Sequence, residues 1–168
     1  LVAVYGDVEL AAVQASARGT FAHPDPDDIL RYTVRDLAVE QAARAGDQVA
    51  LLSFGGQGVQ LLLPPGPARA SGTARVRPLG GGGGTPLAAG LAEAERLLRS
   101  ARRQRGAGAP SCLWLLTDGR TLEQPAAPTA ASHIVVVDFD DPQRPVGRCA
   151  AWAVRWQAEH RMPEPLSS

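Results

Sequence analysis

Three segments of this sequence are apolar along almost their whole length, and this constrains the fold more than any other feature. They are Gln48–Phe54, Ser111–Thr117 and His133–Phe139. A strand with one face in water alternates apolar and polar residues, whereas a strand buried on both faces is apolar throughout. Apolar residues recur at intervals of three and four in Ile29–Ala45 and again in Leu87–Ala101, as in amphipathic helices. The sequence therefore predicts an α/β fold, with a mostly parallel sheet and helices on both of its faces.

Further strands are predicted in the first half of the chain. Val59–Leu63 follows Gln48–Phe54 after a glycine-rich turn, so these two strands are predicted to form an antiparallel hairpin. Leu1–Gly6 and Val8–Ala15 are two apolar runs separated by Gly6 and Asp7. We interpret them either as two strands or as one strand and a leader.

The second half of the chain is predicted to complete a single domain over residues 1–160, followed by a flexible tail over residues 161–168. Val146–His160 is predicted to be the last helix. Gly119–Ser132 lies between two predicted strands and contains two prolines, and a parallel crossover requires a dozen or more residues. The crossover is therefore either short and mostly extended, or residues are missing from the sequence.

The charge and composition exclude several classes of function. The chain has 168 residues, of which 45% are apolar, and 17 acidic residues balance 17 basic ones. A formal charge of zero argues against a nucleic-acid or membrane-surface protein. Every basic residue is arginine, so neither a Walker A loop nor a Schiff-base lysine is available. His23, His133 and His160 lack metal-ligand spacing, and we predict no catalytic residue.

The two cysteines and the absence of membrane signals suggest a compartment. Cys112 and Cys149 lie far apart in apolar surroundings, which predicts buried free thiols in a reducing environment. No segment reaches membrane-spanning length and no signal peptide is visible, so we expect a cytoplasmic protein. The usage of Arg, Ala and Gly indicates a bacterial source. Because the chain begins at Leu1, we expect it to be a fragment of a longer protein.

Three motifs occur in order along the chain. They are AGDQVALLSFGGQGVQLLLPP at Ala45–Pro65, GGTPLAAGL at Gly83–Leu91 and LLTDGR at Leu115–Arg120. Together they resemble the von Willebrand factor A (vWA) domain, and most closely the version in the D subunit of magnesium chelatases and cobaltochelatases. The resemblance covers roughly Val8–His160 and implies the Rossmann-like vWA fold.

The resemblance also implies a site at the carboxyl ends of the parallel strands. In the vWA family this edge holds a divalent ion, usually Mg²⁺, at a metal-ion-dependent adhesion site, and such ions prefer oxygen ligands. By resemblance, Thr85 supplies the later threonine of that site and Asp118 the later aspartate. Thr85 is also predicted to cap a helix whose first residue is Pro86.

The first motif of that site, Asp-x-Ser-x-Ser, departs from the family pattern. The better-spaced match is VQASAR, which keeps Ser16 but has Gln14 in place of the Asp and Arg18 in place of the second Ser. A rival match begins at Asp7 and loses both serines. We prefer the first match, because Val8–Val13 has the stronger strand pattern.

The altered motif predicts a poor Mg²⁺ site, since a carboxylate is lost and a guanidinium is gained. We hypothesise that Arg18 takes the place of the ion and pairs with Asp118. The acidic residues Asp138, Asp140 and Asp141 follow a predicted strand and provide an alternative set of ligands.

The resemblance favours a non-catalytic protein-interaction module. The partner implied is an AAA+ ATPase of the MoxR or chelatase I type, bound at the carboxyl edge of the sheet. Two alternatives stay open: a fragment of a chelatase D subunit that assists insertion of Mg²⁺ or Co²⁺ into a tetrapyrrole, and a metal-free scaffold domain. The predicted partner-binding residues are Gln14, Ser16, Arg18, Thr85, Asp118 and Gly119.

Overall fold

The computed structural model describes residues 2–6, 48–55, 58–67 and 86–162. Within these ranges six strands and two helices follow one another along the chain. In order, they are β1 (Val2–Gly6), β2 (Gln48–Gly55), β3 (Gly58–Pro67), α1 (Leu87–Arg105), β4 (Cys112–Thr117), β5 (His133–Asp138), α2 (Arg148–Trp156) and β6 (Glu159–Arg161). Neither of these helices is long and apolar enough to cross a membrane.

The six strands form one sheet in the order β3-β2-β1-β4-β5-β6. All neighbouring strands are parallel except β2 and β3, which form the predicted antiparallel hairpin. Leu116 of β4 lies opposite Tyr5, and Thr117 lies opposite Asp138 of β5. The ends of β1, β4 and β5 therefore meet at one edge of the sheet. We call the loops that follow β4 and β5 there, residues 118–123 and 139–147, the carboxyl rim.

The core confirms a sheet covered on both faces. Both helices pack on the face that carries Leu52, Leu115 and Val136, in one cluster of buried apolar side chains. The strand residues that point to the other face are buried too: Trp114, Leu116, Val135 and Val137. Strands of this kind have no polar face, which explains their continuous apolar sequence. The predicted helix over Ile29–Ala45 lies outside the described residues.

The first turn of α1 differs slightly from the prediction. The helix begins at Leu87, and Pro86 is the residue before it, with a ψ of 64° that is not helical. The first helical hydrogen bond joins the Gly90 N–H to the Pro86 carbonyl over 3.0 Å. The Glu123 carboxylate accepts a further bond from the Ala88 N–H at 2.6 Å, where a negative charge is favourable. The predicted cap, Thr85, lies outside the described residues.

The last predicted helix was too long. α2 ends at Trp156, and Gln157 then takes a left-handed conformation with φ of 54°. The chain turns back and forms β6, so His160, predicted to be helical, is in a strand. Arg161, which we had assigned to the tail, is the last residue of that strand. Among the described strands, β6 pairs only with β5, and an edge strand of three polar residues leaves almost no periodic pattern to detect.

The crossover from β4 to β5 is short and extended, as one of the two interpretations predicted. It contains no helix, and side chains hold it in place. Glu95 of α1 accepts a bond from the Ala130 N–H at 3.0 Å, and Arg155 of α2 donates to the Pro125 carbonyl at 2.8 Å. These contacts replace the packing that a crossover helix would supply.

Gly90 marks the closest approach of α1 to the sheet. A Cβ atom at this position would lie 3.0 Å from Cδ1 and Cγ of Phe54, which is buried at 1% exposure. We expect Gly90→Ala to lower the free energy of unfolding by about 1–2 kcal/mol, because the cost of overpacking exceeds the gain in helix propensity. Chemical denaturation tests this. Gly108→Ala is the control, because a Cβ atom at Gly108 would have no neighbouring atom within 4 Å. A Gly90→Ala variant more stable than the wild type would contradict the close approach.

Candidate functional site

The loop after β4 is shaped by its own polar side chains. Asp118 is only 2% exposed, and its Oδ1 accepts a hydrogen bond from the Arg120 N–H at 2.9 Å. The Thr117 hydroxyl accepts another from the Gly119 N–H at 3.2 Å. Side-chain oxygens that bond two residues ahead stabilise tight turns. The Asp118 carboxylate is therefore held at the carboxyl rim, where the sequence placed it.

Gly119 is required at the next position for two reasons. Its φ is +72°, a conformation that side chains rarely adopt. A Cβ atom would also lie 3.0 Å from the Cys149 sulfur, at the start of α2. The loop can therefore lie directly against α2 only with glycine at this position.

The loop after β5 is built around Asp140, which is 5% exposed. Its Oδ2 accepts bonds from the backbone N–H groups of Val146 and Gly147, the latter at 3.0 Å. Its Oδ1 accepts a bond from the Asp141 N–H at 3.0 Å. Asp138 in turn accepts the Asp140 N–H at 2.9 Å. These carboxylates stabilise the loop itself.

Arg120 connects the two loops of the rim. Its Nη2 lies 3.4 Å from Asp140 Oδ1 and donates to the Arg144 carbonyl at 3.3 Å, while its Nε lies 4.0 Å from Asp118 Oδ2. Arg148 of α2 adds a second connection, because it donates to the carbonyl of Thr121. The rim is thus a cross-linked platform in which a guanidinium stands between two buried carboxylates.

Two apolar side chains project from this platform. Leu122, in the loop after β4, is 88% exposed, and Val146, in the loop after β5, is 39% exposed. Sequence reasoning identified Asp118 and Gly119 through the LLTDGR motif but did not identify Leu122 or Val146. The sequence did contain a signal for Leu122, because it is an isolated leucine in an otherwise polar loop.

The described residues do not by themselves form a magnesium site. They contain no group of three or more His, Cys, Asp or Glu side chains arranged to hold a metal ion. Asp138, Asp140 and Asp141, suggested as substitute ligands, instead bond backbone N–H groups of their own loop. An Arg120 guanidinium beside Asp118 also disfavours a cation there.

Four of the predicted site residues lie outside the described residues: Gln14, Ser16, Arg18 and Thr85. The hypothesised pairing of Arg18 with Asp118 stays a prediction, because Arg18 lies outside the described residues. Only Asp118 and Gly119 of the predicted set are described; they are consecutive residues and lie at the carboxyl rim.

The described residues also include two cysteines and two histidines. Burial, followed by the charge of Asp138, raises the pKa of the Cys149 thiol, which disfavours the nucleophilic thiolate. Burial likewise raises the pKa of Cys112, and both cysteines are free. The Nε2 atom of His160 lies 2.8 Å from Asp138 Oδ2, and the Nε2 atom of His133 lies 3.2 Å from Glu159 Oε2.

Comparison with known proteins gives a consistent result. The family described as "von Willebrand factor type A domain" matches residues 27–120. The "Magnesium-chelatase 60 kDa subunit" of Rhodobacter capsulatus is 38% identical over 85 residues, and that of Cereibacter sphaeroides 41% over 85 residues. In both cases the match covers 51% of this chain and 15% of the relative.

Solved structures show the same fold. The SpRpn10 VWA domain superposes with a TM-score of 0.57 at 12% identity, covering 99% of this chain and 87% of that one. The D319A mutant of the PilB minor pilin from Streptococcus sanguinis has a TM-score of 0.62 at 11% identity, covering 99% of this chain and 57% of the pilin. Identities this low describe the architecture alone.

Proposed function

We propose that this chain, which belongs to the von Willebrand factor type A domain family, is a protein-interaction module that binds its partner on the carboxyl rim. The single observation that carries the proposal is the construction of that rim. Two loops joined by Arg120 present exposed apolar side chains, Leu122 and Val146, from a hydrogen-bonded base. Apolar anchors on a pre-ordered surface favour binding, because little conformational entropy is lost.

The proposed docking does not depend on a metal ion. Among the family's site positions, the described residues supply the Asp118 carboxylate, and Arg120 already lies beside it. A positive charge therefore already stands beside this carboxylate, so no bound cation is needed to offset it.

The position of β1 bears on the first motif of the site. β1 lies between β2 and β4 and ends at Gly6, and Asp7 is the next residue in the sequence. This supports the match that begins at Asp7 over the one that begins at Gln14, which relied on a first strand at Val8–Val13. In either match the motif lacks at least two of its family oxygen ligands, which favours binding without metal.

The partner we propose is an AAA+ ATPase of the MoxR or chelatase type. The chain has no lysine and so cannot itself form a Walker A loop, which is consistent with a partner that carries the nucleotide site. A second candidate function is favoured by the 38–41% identity to the magnesium-chelatase subunits: a non-catalytic part of a chelatase complex. Restored chelatase activity in a deficient strain carrying the full-length gene would select this candidate, and failure would reject it.

Two matched variants test the rim as the docking surface. Leu122 and Val154 are both aliphatic and highly exposed, at 88% and 82%, but Val154 lies on the outer side of α2. We expect Leu122→Glu to weaken binding of the ATPase at least about tenfold, because a charge is placed in the apolar contact, and Val154→Glu to leave it unchanged. The measurement is capture from native extract with the ATPase identified by mass spectrometry, followed by titration with the purified ATPase.

The outcome that would contradict the proposal is equally specific. If Leu122→Glu binds the ATPase as the wild type does while Val154→Glu does not, the docking surface is the outer face of α2. If neither wild type nor variants bind any ATPase, the metal-free scaffold reading replaces the adaptor.

A further inference from the structure

A second surface lies at the opposite edge of the sheet, where β2 and β4 begin. There the last turns of α1 lie over β2 and leave a narrow cavity of about 50 Å³. Its apolar wall consists of Ala50, Leu97, Leu98 and Ala101, and two arginines of α1, Arg102 and Arg105, also line it. We call this the amino groove. It shares no residue with the carboxyl rim.

A larger cavity of about 370 Å³ adjoins the amino groove. It lies between the turn that follows α1 and the end of the crossover to β5, and it shares Arg102, Pro110 and Ser111 with the groove. The two cavities therefore form one continuous depression. A narrow apolar pocket with a wider cavity beside it suits an extended peptide, whose neighbouring side chains can enter the two cavities separately.

The last turn of α1, next to the amino groove, carries several positive charges. Helix α1 carries five arginines in RLLRSARRQR. The two nearest its middle are neutralised, since Arg96 pairs with Glu93 at 2.5 Å and Arg99 with Glu95 at 3.0 Å. Within the described ranges, no carboxylate pairs with the remaining three: Arg102, Arg103 and Arg105.

The helix terminus alone does not account for this arrangement. Basic side chains in a last turn do stabilise a helix, but that effect requires neither a groove nor an orientation. Here Arg102 makes a long hydrogen bond of 3.4 Å to the Ala107 carbonyl, and it lines both cavities. Arg102 thus lies beside the apolar wall of the groove, and a guanidinium next to an apolar wall suits a carboxylate that neighbours an apolar side chain.

We propose that the amino groove binds an extended segment of a partner protein in which an apolar side chain is flanked by Asp or Glu. The apolar side chain occupies the pocket formed by Ala50, Leu98 and Ala101. The flanking carboxylates pair with Arg102 and Arg105. Charge complementarity selects this occupant, because Arg102 and Arg105 attract a segment with acidic side chains and repel a basic one.

The test begins with an unbiased selection of peptides. A phage-displayed library of random 12-residue peptides is selected on the immobilised wild-type chain. We expect enrichment of peptides that have a Leu, Ile, Val or Phe with Asp or Glu on either side. The affinity of the most enriched peptide, carrying a fluorescent label, is then measured by anisotropy for wild type and variants.

The variants are matched in charge and in helix. Arg102→Gln with Arg105→Gln removes two charges that line the groove, whereas Arg96→Gln with Arg103→Gln removes two charges of the same helix that do not. We expect the first pair to weaken peptide binding by about tenfold or more and the second by about twofold or less. Ala101→Phe, which fills the pocket and leaves all charges in place, is expected to abolish binding as well. Circular dichroism confirms that each variant is folded.

Three outcomes would overturn the proposal. Enrichment of peptides without acidic residues contradicts the occupant. An equal loss of affinity in the two double variants shows attraction by net charge alone. Dimerisation of the wild type that disappears in the Arg102→Gln, Arg105→Gln variant identifies a second copy of the chain as the occupant. Because Leu122→Glu leaves the groove intact, failure here and failure of rim docking are distinguishable.

Discussion

Replacement of Trp152 by alanine is expected to lower the free energy of unfolding by about 3–5 kcal/mol, the usual cost of removing a large buried aromatic side chain. Trp152 is 1% exposed and lies in the same apolar cluster as the sheet. Its ring stacks on that of Trp156, with centroids 5.9 Å apart. Truncation therefore removes apolar burial, opens a cavity and ends an aromatic contact.

The control for this prediction lies on the same helix. Val154 is 82% exposed, so Val154→Ala should change the free energy of unfolding by less than about 0.5 kcal/mol. Both variants are measured by chemical denaturation, with fluorescence and circular dichroism as independent probes. A cost below about 1 kcal/mol for Trp152→Ala would mean that α2 does not pack on the sheet as described.

Replacement of Asp140 by alanine is expected to cost about 3–4 kcal/mol, because the N–H groups of Val146 and Gly147 lose their acceptor and Arg120 loses a buried charge partner. The loop that carries Val146 would then loosen. The same variant should consequently weaken partner binding at the rim. Denaturation gives the first effect and titration with the ATPase the second.

A neighbouring aspartate supplies the comparison. Asp141 is half-buried and accepts a bond from the Gln143 N–H at 2.8 Å within its own turn. Asp141→Ala is expected to cost about 1 kcal/mol or less, and Asp140→Asn, which keeps an acceptor oxygen, should fall between the two. Equal losses for Asp140→Ala and Asp141→Ala would contradict the role assigned to Asp140.

The sheet was largely predictable because its central strands are buried on both faces. Gln48–Gly55, Cys112–Thr117 and His133–Asp138 agree with the apolar runs to within one residue. A continuous apolar run bounded by Gly and polar residues admits few other interpretations. The edge strand β6 could not be predicted in this way. Glu159, His160 and Arg161 are polar, and their pairing with β5 depends on the turn at Gln157.

The rim was only partly predictable. The LLTDGR motif predicted that Asp118 and Gly119 directly follow a strand, and they do. The connection from Arg120 to Asp140 spans 20 residues and requires β4 and β5 to pair in a register that aligns Thr117 with Asp138. Sequence spacing alone does not contain that register. The exposure of Leu122 likewise depends on how the loop leaves the strand.

The choice between the two matches of the first motif depends on which segment forms the strand before it, and Val8–Val13 lies outside the described residues. Val8–Val13 has the stronger apolar pattern, which led us to prefer Gln14, yet Val2–Gly6 is the strand that pairs with both β2 and β4. A central position in a sheet depends on pairing partners, and these are absent from a single-segment pattern. The consequence for the site is the proposal that the motif begins at Asp7.

Our main proposal is that the carboxyl rim binds an AAA+ ATPase without a metal ion. Its most direct test is capture of the ATPase from native extract by the tagged chain, first with Mg²⁺ and then with excess EDTA. We predict that the same ATPase is retained under both conditions. Loss of the ATPase on addition of EDTA would contradict the claim and would mean that the rim holds a functional metal site.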